Sequence, residues 1–299
     1  MIVWPPPLEE PELLERLAMD DAALYGLFEQ LVAAMPARPY DAAAFERALT
    51  YPWERPEGSY LLHGDAAEPL AAIEPAERER VVGLYTSSSS GRLPVLAIGS
   101  NASPETLAIK FGHFSDEEDR AVLALTGRLH GHDVGPSAQT AFYGAMPATV
   151  FSSPGTAVCA TVLWVTPTQF TQLTWSELSY DLGRLHARFE MDDGDEAFEE
   201  VLVFVSRFGT FCPDGEPVAL AAVPAEGRTA AAMTQEQLLN TVAALVLGDG
   251  ATAEALVRAI YEEIDEIGPK VAATIRPRGL RFASESWTRF SPVLPPAGG

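Results

Sequence analysis

Leu93 to Phe111 reads LPVLAIGSNASPETLAIKF, and its reading sets the frame for the rest of the chain. Val95, Leu96, Ala97 and Ile98 form a short apolar run of the kind that marks a buried strand. Gly99-Ser100-Asn101 interrupts it before Ser103-Pro104-Glu105 opens a helix. Glycine admits backbone conformations closed to other residues, serine and asparagine favour turns with outward amide N–H groups, and proline fits the first position of a helix. Such a bend can serve as a nest for an anion or oxyanion, because free N–H donors beside a helix start favour negative charge. The same pattern also describes an ordinary βα connection, so the surrounding sequence has to decide.

The 299-residue chain is 47% hydrophobic and 21% charged, enough to bury a full core in one or two domains. Its formal net charge of −22 repels nucleic acid and anionic membrane surfaces, so neither is expected as a partner. Cys159 and Cys212 are the only cysteines and neither belongs to a CxxC pair, which leaves no disulfide framework and no thiolate zinc motif. The opening MIVWPPPLEEPELLERL lacks a basic segment followed by an apolar run, and no stretch has the length of a membrane span. A cytoplasmic protein is expected. Of the 20 basic residues only Lys110 and Lys270 are lysines.

Taken in order, Glu9 to Leu17, Asp20 to Met35 and Asp41 to Leu49 read as helices. The second has Leu24, Leu27, Phe28, Leu31 and Val32 on one face and Asp20 or Asp21 as N-cap, and Tyr51-Pro52-Trp53 stops the third. Tyr60-Leu61-Leu62 is a strand candidate, Glu74 to Arg80 a short helix and Val81 to Tyr85 another strand; Ser87 to Ser90 reads as a flexible joint. Asp116 to Ala124 suggests a helical turn or two, and Val122 to Leu129 a strand. Ala148 to Phe151 and Thr156 to Val165 read as a hairpin around Ser152-Ser153-Pro154-Gly155. Thr166-Pro167 then starts a helix over Thr168 to Thr174, and Glu177 follows it as the only charged residue between Gln139 and Ser179. Val201 to Val205 returns as a strand. A capping box at Thr234 to Gln237 opens a helix ending at Gly248, and Thr252 to Ile267 reads as a further helix ending at Gly268-Pro269.

In order and spacing, five features resemble the γ-glutamylcyclotransferase family: Ala97-Ile98-Gly99-Ser100-Asn101, Thr126-Gly127-Arg128-Leu129, Ala148-Thr149-Val150 with Ser153-Pro154-Gly155, Val158 to Val165, and the helix ending at Glu177. The similarity covers roughly Leu93 to Ala225. It implies that a Gly-Ser-Asn loop after the first strand binds substrate through Ile98, Gly99, Ser100 and Asn101, and that Glu177 is the catalytic acid/base. Tyr180 stands near the position of a family tyrosine, at a short spacing. The family's chemistry is an intramolecular attack of the substrate's α-amine on its γ-carbonyl, which releases 5-oxoproline and an amine with no metal and no cofactor. The sequence departs from the family where Ile98 replaces the aromatic residue before Gly-Ser-Asn, removing any phenol contact from that position. It departs again around Glu177, in Leu173-Thr174-Trp175-Ser176-Glu177-Leu178.

Other residues invite plainer readings. Glu177 is also readable as a helix-terminal carboxylate paired with Arg184 or exposed to water. His130, His132 and Asp133 begin a ligand set with no further partner fixed by spacing, so hydrogen-bonded histidines are expected. Glu190 to Glu200 lacks calcium-loop spacing and reads as a solvated hairpin or loop. Cys212 has no paired base, and Ser100 lacks a Gly-x-Ser-x-Gly elbow. Arg276, Arg278, Arg281 and Arg289 in the tail are expected to dock on the acidic body or bridge subunits.

The expectation is an α+β protein with a small mixed, barrel-like sheet of the γ-glutamylcyclotransferase-like type and helical extensions at both ends. Its parts are a mainly helical layer over 1–91, a core over 92–225, and a helical extension and tail over 226–299. The substrate expected is a small γ-glutamyl or related acyl amide, with the terminal helices as candidate surfaces for a second copy. The rival readings are a catalytically silent binding or scaffold module and an acyl hydrolase or transferase on the same fold. A Glu177 that opens into a pocket floored by the bend's amides favours the enzyme; one facing bulk water or plugged favours the scaffold.

Overall fold

A computed structural model of the protein describes residues 2–192 and 197–294. Three N-terminal helices, α1 (Pro11–Ala18), α2 (Asp21–Ala33) and α3 (Ala42–Leu49), precede strands β1 (Tyr60–His63) and β2 (Ala66–Pro69) and helix α4 (Pro75–Thr86). Asp20 and Asp41 cap α2 and α3 by accepting from the Ala23 and Ala44 amides, each at 2.8 Å. The apolar run of the opening stretch forms β3 (Leu93–Ala97), followed by α5 (Pro104–Phe111), β4 (Ala121–Pro136), β5 (Ala148–Val165), α6 (Pro167–Ser176), β6 (Tyr180–Met191) and β7 (Ala197–Ser206). Helices α7 (Gln235–Leu247), α8 (Ala253–Glu262) and α9 (Ile264–Ile275) complete the chain's larger elements.

β3 pairs antiparallel with β5 and parallel with β7. The antiparallel pairs β7–β6, β6–β4 and β4–β5 then close a mixed five-stranded barrel. Every residue of β3 is buried, which is why the run is apolar without alternation. Alternation survives in what each face touches. Leu96, Val162, Trp164, Val201 and Val203 pack in one cluster with α7, α8 and α9, while Val95, Ala97, Leu163, Val165, Leu202 and Phe204 pack in a second with α1, α5 and α6. β3 and the stretches of β5 and β7 beside it are therefore covered on both sides, whereas β6 alternates buried residues with exposed His186, Arg188 and Glu190.

The first ninety residues take part in this sheet. Tyr60–His63 pairs antiparallel with Ala121 to Ala124 of β4, so a ladder crosses the soft boundary near residue 91. Arg207 fastens α1 and α2 to the barrel: its Nε donates to Asp181 at 2.7 Å and its terminal nitrogens donate to the Met19 and Leu17 carbonyls at 2.8 and 3.0 Å. The tail docks back on the same chain, with Arg281 on Asp21 at 2.7 Å, Arg289 on Asp181 at 2.8 Å and Arg276 stacked over Tyr25 and Phe208. Ser87 to Ser90 is a 3-10 turn in which the Ser90 hydroxyl donates to the Tyr85 and Ser87 carbonyls.

Four sequence expectations are corrected. The hairpin around Ser152-Ser153-Pro154-Gly155 is one strand with an excursion: Ser152 and Ala157 both face His132, and the arms on either side pair with β4 rather than with each other. β4 is long enough to offer both arms a ladder, and Gly155 at φ 85° turns the excess residues out. Val81 to Tyr85 is helical, because Pro75 and the Glu74 carboxylate, which accepts from the Ala76 and Glu77 amides, start a helix that nothing stops before Ser87. Thr252 to Ile267 is two helices, broken at Glu263, and α9 continues through Pro269 because Ile264, Ile267, Val271 and Ile275 stay buried at helical spacing. That burial outweighs one lost backbone bond. Leu31 is 51% exposed and is not on the packed face of α2. Residues 193–196 of the acidic Glu190 to Glu200 stretch lie outside the described residues.

Asp133 on β4 is 0% exposed, and the Arg228 Nε and Nη2 atoms donate to its two oxygens at 2.8 Å each. Replacing Arg228 with Met strands a buried carboxylate, so Arg228→Met is expected to lower the unfolding free energy by roughly 3–5 kcal/mol, read as a lower urea midpoint at unchanged slope.

Candidate functional site

Ile98 carries the chain out of β3 into the bend. Ser100–Ala102 makes one 3-10 turn, closed by the Ala102 amide on the Gly99 carbonyl at 3.1 Å and the Ser103 amide on the Ser100 carbonyl at 2.9 Å. On the other side, a capping box at Thr166 and Gln169 starts α6, which delivers Glu177 at its C-cap. The two pieces meet: the Asn101 Nδ2 atom donates to Glu177 Oε1 at 2.9 Å. Lys110, in the last turn of α5, donates from Nζ to Asn101 Oδ1 and to Ser176 Oγ, both at 2.7 Å, and lies 3.5 Å from Glu177 Oε1. An ammonium has three donors, and these three partners match them. The side chains of Lys110 and Glu177 are 17% and 16% exposed, so the pair is mostly withdrawn from water. Arg184, the partner weighed from sequence, sits instead 3.8 Å from Glu200.

The Ala102 and Ser103 amides are used within the bend's own turn, and Tyr51 stands against the bend at Gly99. Tyr51 accepts the Ala148 amide on its hydroxyl at 2.9 Å, and the Ser100 backbone also acts on that oxygen. Gly99 is needed here for close approach: a Cβ at that position would lie 2.5 Å from Tyr51 Oη. Its φ of −114° is outside the left-handed region, which corrects the expectation that the glycine serves an unusual backbone angle. A phenol thus reaches the loop from the N-terminal layer although residue 98 is isoleucine. Arg55 serves the opposite pole of the bend, with Nη2 donating to the Ile98 and Gly99 carbonyls at 3.0 and 3.2 Å.

Tyr180 is buried and donates to the Ala148 carbonyl at 3.0 Å, and Tyr143 stacks on Tyr51 with ring centroids 6.1 Å apart. Burial pushes the Tyr51 phenol up to about 12 and the Tyr143 and Tyr180 phenols well above their ordinary value, and the Glu177 charge adds to the rise in all three. The three phenols therefore stay neutral across the ordinary pH range.

Two clefts flank Arg55. One, of about 470 Å³, is lined among others by Trp53, Arg55, Tyr60, Ala102, Cys159 and Asp192; the other, of about 280 Å³, by Glu54, Arg55, Pro56, Ser103, Pro104 and Glu105. Glu177 lines neither.

The remaining candidates have other partners. His130 pairs with Glu190 at 3.1 Å, and the His132 Nδ1 atom lies 2.9 Å from the His130 carbonyl, in a ring whose pKa burial pushes down. Asp133 belongs to Arg228. Among the described residues no group of three or more histidines, cysteines or carboxylates is arranged around a common point. Cys212 is buried, and burial pushes its thiol up.

Sequence reasoning placed Ile98, Gly99, Ser100, Asn101 and Glu177 at one end of the barrel but missed Lys110, Tyr51 and Arg55. The scarcity of lysine was the available signal for Lys110. Tyr51-Pro52-Trp53 carried only a helix stop.

Unfolded tyrosines ionise near 10, whereas Tyr51 keeps its proton to about 12. The folded state therefore holds more protons across that window, and stability falls as pH rises from 10 toward 12. Tyr51→Phe is expected to flatten this fall by up to about 1.4 kcal/mol per pH unit, read from urea midpoints at successive alkaline pH values.

No protein-family model and no curated protein matches the chain.

Proposed function

We propose that the chain is an acyl-amide-cleaving enzyme of the γ-glutamylcyclotransferase type, with Glu177 as general acid/base. The observation that carries the reading is the 2.9 Å contact between Asn101 of the bend and Glu177, two groups 76 residues apart in sequence. In the proposed reaction the substrate's α-amine attacks its own γ-carbonyl carbon, a new C–N bond closes the five-membered lactam, and the original amide C–N bond breaks. Glu177 takes the proton that the ammonium must shed and returns it to the departing amine, so one carboxylate serves both steps. Folding the substrate supplies most of the rate, because the reaction is intramolecular.

Lys110 is the positioning residue in this scheme. Its bonds to Asn101 Oδ1 and Ser176 Oγ hold the amide so that Nδ2 faces the carboxylate. A substrate ammonium would enter in competition with Lys110 for Glu177 Oε1, and the bend would present its amides once Tyr51 withdrew. The buried phenols of Tyr143 and Tyr180 would shield the reacting amine from water.

The second reading, a binding or scaffold module, is favoured by a different observation: the Tyr51 hydroxyl fills the amide side of the bend and neither cleft reaches Glu177. Turnover separates the two. With a panel of γ-glutamyl amines and peptides, the wild-type protein is expected to release 5-oxoproline detectable by mass. Glu177→Gln is expected to slow release by about 10²–10⁴-fold with the fold intact by circular dichroism. An inert wild-type protein would leave the binding module; a variant as fast as wild type would remove Glu177 from the chemistry; free glutamate in place of the lactam would indicate a hydrolase.

A further inference from the structure

Arginines drawn into the body of the protein use their donors in different ways, and Arg184 and Arg276 each leave a buried Nε without a partner. Arg92 gives Nη1 to the Ala121 and Trp164 carbonyls and Nη2 to that of Glu118; Arg207 uses Nε and both terminal nitrogens; Arg228 holds Asp133 with two nitrogens and the Val223 carbonyl with one of them. Arg55 engages the protein through Nη2 alone. Among the described residues its Nε and Nη1 have no acceptor, and no carboxylate lies within ion-pair distance. The groups that act on its charge are Tyr51, Tyr60 and Cys159, all of which burial pushes toward their neutral forms. Burial of the rest of the side chain weakens the hydration of the charge, while Nε and Nη1 are not among the sealed, unpartnered atoms, so an anion in the cleft can meet them.

That edge belongs to a side chain lining the cleft of about 470 Å³, a volume in the range that small organic ligands occupy. Trp53, Tyr60, Ala160 and Pro224 give this cleft apolar walls. A guanidinium edge matches the two oxygens of a carboxylate or phosphate. The rim decides between them: Glu57 and Asp192 also line the cleft, and Asp192 is only offset by Arg128 at 2.7 Å. A second negative charge on the ligand would be repelled. We propose that this cleft binds a small organic monocarboxylate, its carboxylate on the free edge of Arg55 and its apolar body against Trp53 and Tyr60. Glu177 does not line the cleft, so binding here stands or falls apart from the proposed turnover.

Cys159 lines the same cleft and is partly exposed, whereas Cys212 is buried. In a Cys212→Ala background, the rate of Cys159 modification by a maleimide reports occupancy. Phenylacetate is expected to slow labelling saturably, by about tenfold at ten times its Kd, while phenylacetamide and inorganic phosphate leave the rate unchanged. Arg55→Gln is expected to abolish the protection. Because Arg55 also holds the bend, Ala222→Trp, at an exposed cleft-lining position, is the second variant and is expected to block protection by filling the space. Absence of protection by phenylacetate, equal protection by phenylacetamide or phosphate, or protection that persists in either folded variant would overturn the proposal.

Discussion

The central strand β3 is buried on both faces, and this constraint governs what can happen where it ends. β3 has no exposed residue, and its neighbours feed alternate side chains into two separate cores. A polar side chain in the middle of such a strand would need a partner inside an apolar layer. Asp133 shows the requirement met, with Arg228 alongside. Elsewhere polar groups collect where strands end, and the exit of β3 gathers more of them than a connection requires. Glycine at position 99 permits the crowding, since a methyl group there would strike the Tyr51 hydroxyl.

At that exit each group determines the orientation of the next. Asn101 could in principle present either end of its amide to Glu177, but an ammonium accepts nothing and a carboxylate donates nothing. With Lys110 on Oδ1, Nδ2 must face Glu177, so the amide orientation follows from the chemistry of its two neighbours. The arrangement is a short relay of cation, amide and carboxylate, with Ser176 as the remaining acceptor for the cation. It is compatible with a carboxylate held ready for a proton, and equally with a joint that fastens α5 to the end of α6. The difference lies in whether a second ammonium can replace the first.

Much of the architecture was legible from local pattern, in the starts of α2, α3, α6 and α7 and the apolar run of β3, whereas the pairing of the Gly-Ser-Asn bend with Glu177 was implied only by the family resemblance. Misreadings arose where a local signal competed with a long-range partner. Ser-Pro-Gly in β5 has the composition of a hairpin turn, but the strand it would pair with was already claimed by β4. Pro269 has the composition of a stop, but three buried residues beyond Ile264 hold α9 in place. Tyr51 and Arg55 carried no local signal at all, because their partners lie 97 residues and 43–44 residues away. Periodicity reports which face of an element is apolar; it is silent about which remote residue reaches a bend.

Tyr51 and Arg55 stand four residues apart on the same irregular segment yet serve opposite poles of the bend, the first its amide side and the second its carbonyls. Without that segment the Ile98 and Gly99 carbonyls and the Ala148 amide would each lose a partner at a site largely closed to water. A lost partner of this kind costs about 1–3 kcal/mol. The N-terminal layer is therefore part of the bend's own structure. Any ligand that takes the free edge of Arg55 pulls on the same guanidinium that holds Gly99, and any group that enters the amide side must first move Tyr51. Tyr51 and Arg55 thus share one short piece of chain, and both the amide side of the bend and the free edge in the cleft are reached only past residues 51–55.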